Sequence, residues 1–372
     1  RASRPAVASP AVVPARPDPG PMGSHRQAAQ PSASGAVALP VPDTPMPEAL
    51  AQFEWADRTT ARPNRVDALV AALQHIPRPP AALHKMLSPH FLDHASSAEL
   101  SELITGEAQI AAKVLATVNS PACGLQQPVA SIGQAVSFLG LNSVRAICLK
   151  FLLDDAFKTT DPALHKTHAQ LWRASALASE LCGRLAPRLG LTEPGALVAQ
   201  VLLSFLGHVT TATLMRQQAG SSPPQGLLER VDWSQQRMGL GPSEVGGLLL
   251  QAWGLPQTII DEVIAIDRMV VTPAGAMPAA RSQRLAVAHF CARMGERLAA
   301  ADTSLPIDLA SPDPLADASA DGYHLRTHLA SPALASLGEH LRAAAVVNPV
   351  QTLLRSARQQ PAESARRAPA TA

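Results

Sequence analysis

Histidines three or four residues apart on a helix share a face, and that spacing lets two imidazoles reach one metal ion. Three such pairs occur: His90 with His94, His165 with His168, and His324 with His328. None has an assignable third ligand or general base beside it, so solvated or capping histidines are the plainer reading. His208 stands alone beside an apolar run, where a single histidine is ordinarily hydrogen-bonded locally. Asp154-Asp155 falls near a helix end, a usual place for aspartate as a cap or turn. The four cysteines, Cys123, Cys148, Cys182 and Cys291, form no C-x-x-C pair and read as buried, reduced core residues. Gly239, Gly241, Gly246 and Gly247 do not make a glycine-rich phosphate loop; a turn and close helix packing suit them better. Trp172, Trp233 and Trp253 are expected to anchor packing.

The elements that would position these groups are helices. Ser96 with Glu99, and Ser131 with Gln134, are spaced as capping boxes. The first opens a helix with Leu100, Leu103 and Ile104 on its apolar face; the second ends at Gly140 as a C-terminal cap. A stripe of Ala111, Val114, Leu115 and Val118 stops at Asn119-Ser120-Pro121, where Asn119 is read as a helix stop. Asn142 is read as the cap of a helix bearing Val144, Ile147, Cys148, Phe151 and Leu152. Further helices are predicted through Leu171–Leu185, over Leu197–Met215 as a buried central element, and over Glu244–Trp253 and Pro256–Ile266. Leu285–Ala299, Tyr323–Leu329 and Ala333–Leu354 follow, with loops at Met269–Arg281 and Ala301–Gly322. A short helix between Glu48 and Asp57 would carry Leu50, Phe53 and Trp55.

Composition agrees with an all-α chain. Hydrophobic residues make up 47% of the 372 residues but aromatics only 3%, so the interior is built of Leu, Ala, Val and Ile. A net charge of +2 with no basic block argues against nucleic-acid binding. No run of eighteen apolar residues and no signal-peptide pattern is found, which makes a cytoplasmic protein without membrane insertion the expectation. The chain starts at Arg1, and Met22 is a candidate start. Twelve of its 34 prolines precede Asn64, so residues 1–62 are expected to be a disordered Pro/Ala-rich leader, with a second disordered tail at 358–372.

Several segments, in order, resemble the HDOD family, an all-helical relative of the HD-type metal-dependent phosphohydrolases. They are Ile76-Pro77-Arg78-Pro79-Pro80, Leu115-Ala116-Thr117-Val118-Asn119-Ser120, and Ser131 through Gly140 as Ser-Ile-Gly-Gln-Ala-Val-Ser-Phe-Leu-Gly. Leu171-Trp172-Arg173-Ala174-Ser175, Glu244-Val245-Gly246-Gly247 and Trp253-Gly254-Leu255-Pro256 complete the series. The resemblance runs from about Ile76 to Ala299. It implies an N-terminal helical lobe at 63–160 and an HD-like helical lobe at 161–300, followed by a C-terminal loop and helices at 301–357.

Catalytic members of the wider superfamily hold a metal with an adjacent His-Asp pair. By that resemblance Ser204-Phe205 stand where the pair would be, with Leu202-Leu203 and Gly207 kept as scaffold. A second ligand position falls at Pro242, and a histidine pair falls near Ile266-Asp267; only Asp267 offers an oxygen ligand. The resemblance therefore implies a pseudoenzyme without metal or other cofactor, regulating through a protein partner in bacterial signal transduction. One alternative is a nucleotide held without hydrolysis, with Arg173 and Arg268 as candidate anion contacts, His208 as a ligand or interface residue and Trp172 beside them. A phosphohydrolase with displaced ligands is the other.

Overall fold

Prolines mark the starts of five helices, because a proline at the first helical position gives up no hydrogen bond and its fixed φ suits the first turn. These are Pro63, Pro89, Pro162, Pro194 and Pro242. The computed structural model describes residues 44–120, 127–216, 223–301 and 307–359. Among them are seventeen α-helices and no strand, the all-α architecture of an HDOD fold.

A first group comprises α1 (Glu48–Ala51), α2 (Pro63–Leu73), α3 (Ala81–Met86), α4 (Pro89–His94), α5 (Ser97–Thr105), α6 (Ala108–Val118), α7 (Ile132–Leu139) and α8 (Leu141–Asp154). The second comprises α9 (Pro162–Arg188), α10 (Pro194–Met215), α11 (Leu227–Met238), α12 (Pro242–Ala252), α13 (Gln257–Arg268) and α14 (Ala279–Ala300). Then come α15 (Tyr323–Leu329), α16 (Leu337–His340) and α17 (Ala344–Gln359). Helices α5 to α8 pack on one another, while α9 lies against α10 and α14 at the centre of the second group. Helix α8 touches both α9 and α10, so one apolar core runs continuously through both groups.

Helix α10 is long and apolar enough to cross a membrane by length and composition. Here it is the core rod: Leu197 through Thr211 are all buried, under α9, α12, α13 and α14. Its tightest contact is backbone to backbone. A Cβ on Gly207 would stand 2.0 Å from the Pro242 carbonyl oxygen, and one on Gly246 would stand 2.8 Å from the Gly207 Cα. Glycine at both positions lets α10 and α12 touch without side chains between them. Helix α14 approaches α9 similarly, since a Cβ on Gly295 would meet the Ala174 carbonyl oxygen at 2.4 Å.

Local expectations meet mixed outcomes. The Ser96–Glu99 box closes reciprocally, but Gln134 turns its side chain to the Ala130 amide and only Ser131 caps. Asn142 lies inside the first turn of α8, whose N-cap is Gly140 at φ +89. Asn119 does more than stop α6. Its amide nitrogen donates to the Val129 carbonyl at 2.8 Å and its oxygen accepts from the Val129 amide at 2.7 Å, tying the end of α6 to the segment that leads into α7. The helix predicted over Ala333–Leu354 is broken into a 3₁₀ turn, α16 and α17.

Residues 44–62 correct the expectation of a disordered leader reaching 62. Beyond the single turn of α1 the chain runs as an irregular strap over the second group. Leu50 is buried with Leu227, Leu228, Val231 and Val270 in a small cluster apart from the main core. The Gln235 side chain accepts from the Ala56 amide at 2.9 Å and donates to the Glu54 carbonyl at 3.0 Å. Trp55 donates to Glu244 at 3.0 Å. A few apolar side chains and a two-point backbone bond thus order a proline-rich stretch that composition alone reads as unstructured. Residues 1–43 and 360–372 lie outside the described residues, as does Cys123.

The α10–α12 contact gives a direct test. Gly207→Ala is expected to destabilise the chain by about 3 kcal/mol or more, since the Cβ meets backbone that cannot yield cheaply. Gly133→Ala, on the exposed face of α7 with nothing nearer than 3.9 Å, should be neutral or stabilising by up to ~1 kcal/mol. Urea unfolding of the two variants checks the contrast.

Candidate functional site

One turn of α10, the C-terminal end of α13 and the middle of α14 converge on a buried polar network. The Asp267 carboxylate is fully buried at the end of α13. His208 Nε2 donates to its Oδ2 at 2.9 Å, and the Arg293 guanidinium donates to its Oδ1 at 3.3 Å. Arg293 also bonds Glu296 at 2.8 Å, and Arg230 on α11 closes the other side of Glu296 at 2.8 and 3.0 Å. Beside it, His289 Nδ1 donates to the Ile266 carbonyl at 2.6 Å. The run Asp267–Arg293–Glu296–Arg230 alternates sign along its length, with His208 hydrogen-bonded at its head.

Burial opposes ionisation of Asp267, but the neighbouring His208 and Arg293 outweigh it and hold the carboxyl far below the usual carboxylate range. Glu296 is likewise held low against burial, by Arg293 and Arg230. Burial, helped by the Arg293 charge, pushes His289 down to about 4. His289 is therefore neutral near pH 7, and its Nδ1–H is the proton that the Ile266 carbonyl accepts.

The network forms part of the wall of a cavity of about 980 Å³ between α9, α10, α11, α14 and the 312–325 segment. Such a volume is in the usual range for small-molecule sites. His208, Thr211, Arg230, Arg293 and Glu296 line it, with apolar walls from Leu171, Met215, Leu227, Phe290, Met294 and Leu325.

The structure places the sequence-predicted positions as follows. Ser204 Oγ donates to the Val201 carbonyl at 2.8 Å, and the Phe205 ring is wholly buried. Pro242 opens α12 and touches the cavity, and Ile266 is core. His208 and Asp267 are brought together. Arg173 and Arg268 are not among the cavity's lining residues; Arg268 stacks on the Trp55 ring at 5.8 Å and stands 3.9 Å from Asp57. Trp172 is core against Phe157, at 6.3 Å between ring centroids, and Trp253 packs on the same ring. Trp233 is half-buried at the cavity wall.

Each histidine pair is placed without gathering into a ligand set. His168 bonds the Phe157 carbonyl and the Thr213 hydroxyl, His328 bonds Ser282 and the Thr272 carbonyl, and the His90 and His94 rings lie 5.6 Å apart on an exposed turn. Asp155 pairs with Lys113 and Lys158, each at 3.1 Å.

Sequence reasoning missed Arg230, His289, Arg293 and Glu296. The signal was present: His289, Arg293 and Glu296 follow at i, i+4 and i+7 along α14, a polar stripe on a helix otherwise apolar enough to be core.

Fold and site together define an all-helical chain whose second group carries a buried ion-pair network beside a cavity. The chain belongs to the HDOD family: the HDOD domain model matches residues 76–268, just over half of it. Among solved structures it is similar to an HDOD domain protein of unknown function from Geobacter sulfurreducens, at 19% identity over 75% of this chain and 98% of that one, TM-score 0.45. It is also similar to a candidate phosphohydrolase from Shewanella amazonensis SB2B, at 18% identity over 78% and 98%, TM-score 0.48. The MmoQ response regulator from Methylococcus capsulatus str. Bath matches at 18% identity over 62% and 89%, TM-score 0.30. No curated protein matches the chain in sequence.

The metal of the wider HD superfamily does not fit the residues here. Of the positions that would hold it, Asp267 alone is a donor, and it is already shared between His208 and a guanidinium. Among the described residues no three His, Cys, Asp or Glu side chains gather to hold an ion.

Two measurements probe the network. Arg293→Met leaves the Asp267 carboxylate buried with one partner fewer and is expected to cost about 3–5 kcal/mol, part of which Asp267→Asn in the same chain should restore. Acidification should also destabilise. The folded pKa of His289 is depressed, so below the ordinary value of 6.5 the unfolded chain takes up a proton that the native chain refuses until about 4. Stability is lost across that window, by on the order of 3 kcal/mol. The Asp267 contribution, present above the ordinary carboxylate range, is lost only at lower pH still. His289→Asn keeps a donor for the Ile266 carbonyl and should flatten the pH dependence of urea midpoints between neutrality and about pH 4.

Proposed function

We propose that this chain is a non-catalytic HDOD regulatory module of bacterial signal transduction, cytoplasmic and acting through a protein partner. The observation that carries this reading is the state of the Asp267 carboxylate. It is ionised, sealed from solvent and neutralised by Arg293, so it is free neither to bind a metal nor to polarise a water. Ser204, with its hydroxyl turned back to the Val201 carbonyl, and the buried Phe205 ring supply nothing in its stead.

What remains intact is the scaffold. The glycine contact between α10 and α12, the capping of α5 and the continuous core keep the HDOD shape without the ligands that would justify it for hydrolysis. The response regulator from Methylococcus capsulatus belongs to signalling by its description, and that context suits a domain kept for its shape.

Metal content and hydrolysis of bis-(p-nitrophenyl) phosphate, measured on one preparation of the full chain, should show no stoichiometric metal and no turnover above the blank. Affinity capture under cross-linking should recover a reproducible partner. Stoichiometric metal lost with Asp267→Ala, together with hydrolysis, would overturn the reading.

A further inference from the structure

We infer that the cavity between α9, α10, α11 and α14 is a binding site for an uncharged, largely apolar small molecule that carries a hydroxyl or amide at one end. The walls set the apolar part: Leu171, Met215, Leu227, Phe290, Met294 and Leu325 present aliphatic and aromatic surface around about 980 Å³. A space of this size is at the upper end of those that take drug-sized molecules and admits one of several rings.

Charge sets the second requirement. Four arginines line the cavity, Arg216, Arg230, Arg293 and Arg297, and so do four carboxylates, Glu296, Asp313, Asp317 and Asp321. The arginines are engaged: Arg216 with Asp161, Arg230 with Glu296, Arg293 with Asp267 and Glu296, and Arg297 with the Met294 sulfur. A phosphate or diphosphate entering here meets three ion-paired arginines, a fourth (Arg297) held by a neutral sulfur and acted on by the Asp308 charge, and the fields of several carboxylates, so little repays its desolvation. A neutral molecule has no such penalty.

The polar end is set by α10. The hydroxyls of Thr210 and Thr213 donate to the carbonyls four residues back, Leu206 and Val209, at 2.7 and 2.8 Å. Thr211 lies between them, buried and lining the cavity, and its hydroxyl has no protein partner. One turn away, His208 commits Nε2 to Asp267 and leaves Nδ1 without a partner. A buried polar atom left unpaired is costly. Helical threonine uses two χ1 rotamers, and a step of about 120° carries its hydroxyl from one staggered position to the next. That step turns the Thr211 hydroxyl toward a ligand in the cavity it lines. The Thr211 hydroxyl can both donate and accept, so it suits a ligand group that does the same, as a hydroxyl or primary amide does, with the unpaired His208 Nδ1 one turn away as a second polar contact.

Isothermal titration of the full chain with phenol, 2-naphthol and indole-3-ethanol, and separately with inorganic pyrophosphate and adenosine diphosphate, tests this. At least one neutral probe should bind with a dissociation constant below the millimolar range, and the two anions should not. Thr211→Val, isosteric in the core, should weaken that probe about fivefold. Ala212→Trp, which fills the cavity from its wall, should abolish binding with the thermal midpoint nearly unchanged. Failure of every neutral probe, tighter binding of either anion, or undiminished binding to Ala212→Trp overturns the assignment. None of these outcomes bears on whether the chain hydrolyses phosphodiesters.

Discussion

The Asp267 carboxylate is the point around which the second helical group is arranged. A fully buried negative charge is tolerated only with partners that compensate its lost hydration. Here His208 reaches it from α10 and Arg293 from α14, so three helices are fixed by one ionised group. His289 adds a bond to the Ile266 carbonyl next to it, tying α14 a second time to the end of α13. The carboxylate thus serves as an internal clamp between helices. Its charge is satisfied by the protein itself.

Close packing sets what α10 can carry beside this clamp. Gly207 is retained because a Cβ there would strike the backbone of Pro242, whatever the neighbouring residues do. Ser204 and Phe205, three and two positions earlier, are buried too, and the Phe205 ring adds apolar volume to the core around α10. Packing therefore limits the glycine to no side chain and gives its neighbour a large one.

Much of the framework was legible in the sequence because it rests on local signals. The Ser96–Glu99 box, the buried run of α10 and the Gly254 break between α12 and α13 each lie within a few residues of their cause. The site was legible only by half. His208 and Asp267 could be named, but not their bond, since 59 residues separate them. Arg293 and Glu296 drew no reading from the sequence, because apart from their own i, i+3 pair their partners Asp267 and Arg230 sit on other elements. The strap at 44–62 escaped for the same reason: its order comes from Gln235, Glu244 and the Leu227–Val231 face, all far along the chain.

The clamp also shapes the cavity beside it. Arg293 and Glu296 spend their charge on each other and on Asp267 and Arg230, so this polar floor carries little uncompensated field into the open volume. In a metal-bearing relative the same space would face a divalent ion and attract anions. In this chain the matching position is held by a guanidinium already paired with carboxylates, which offers an incoming anion little, and the walls from α9, α11 and α14 are largely apolar. The preference proposed for a neutral molecule thus follows from how the network closes on itself.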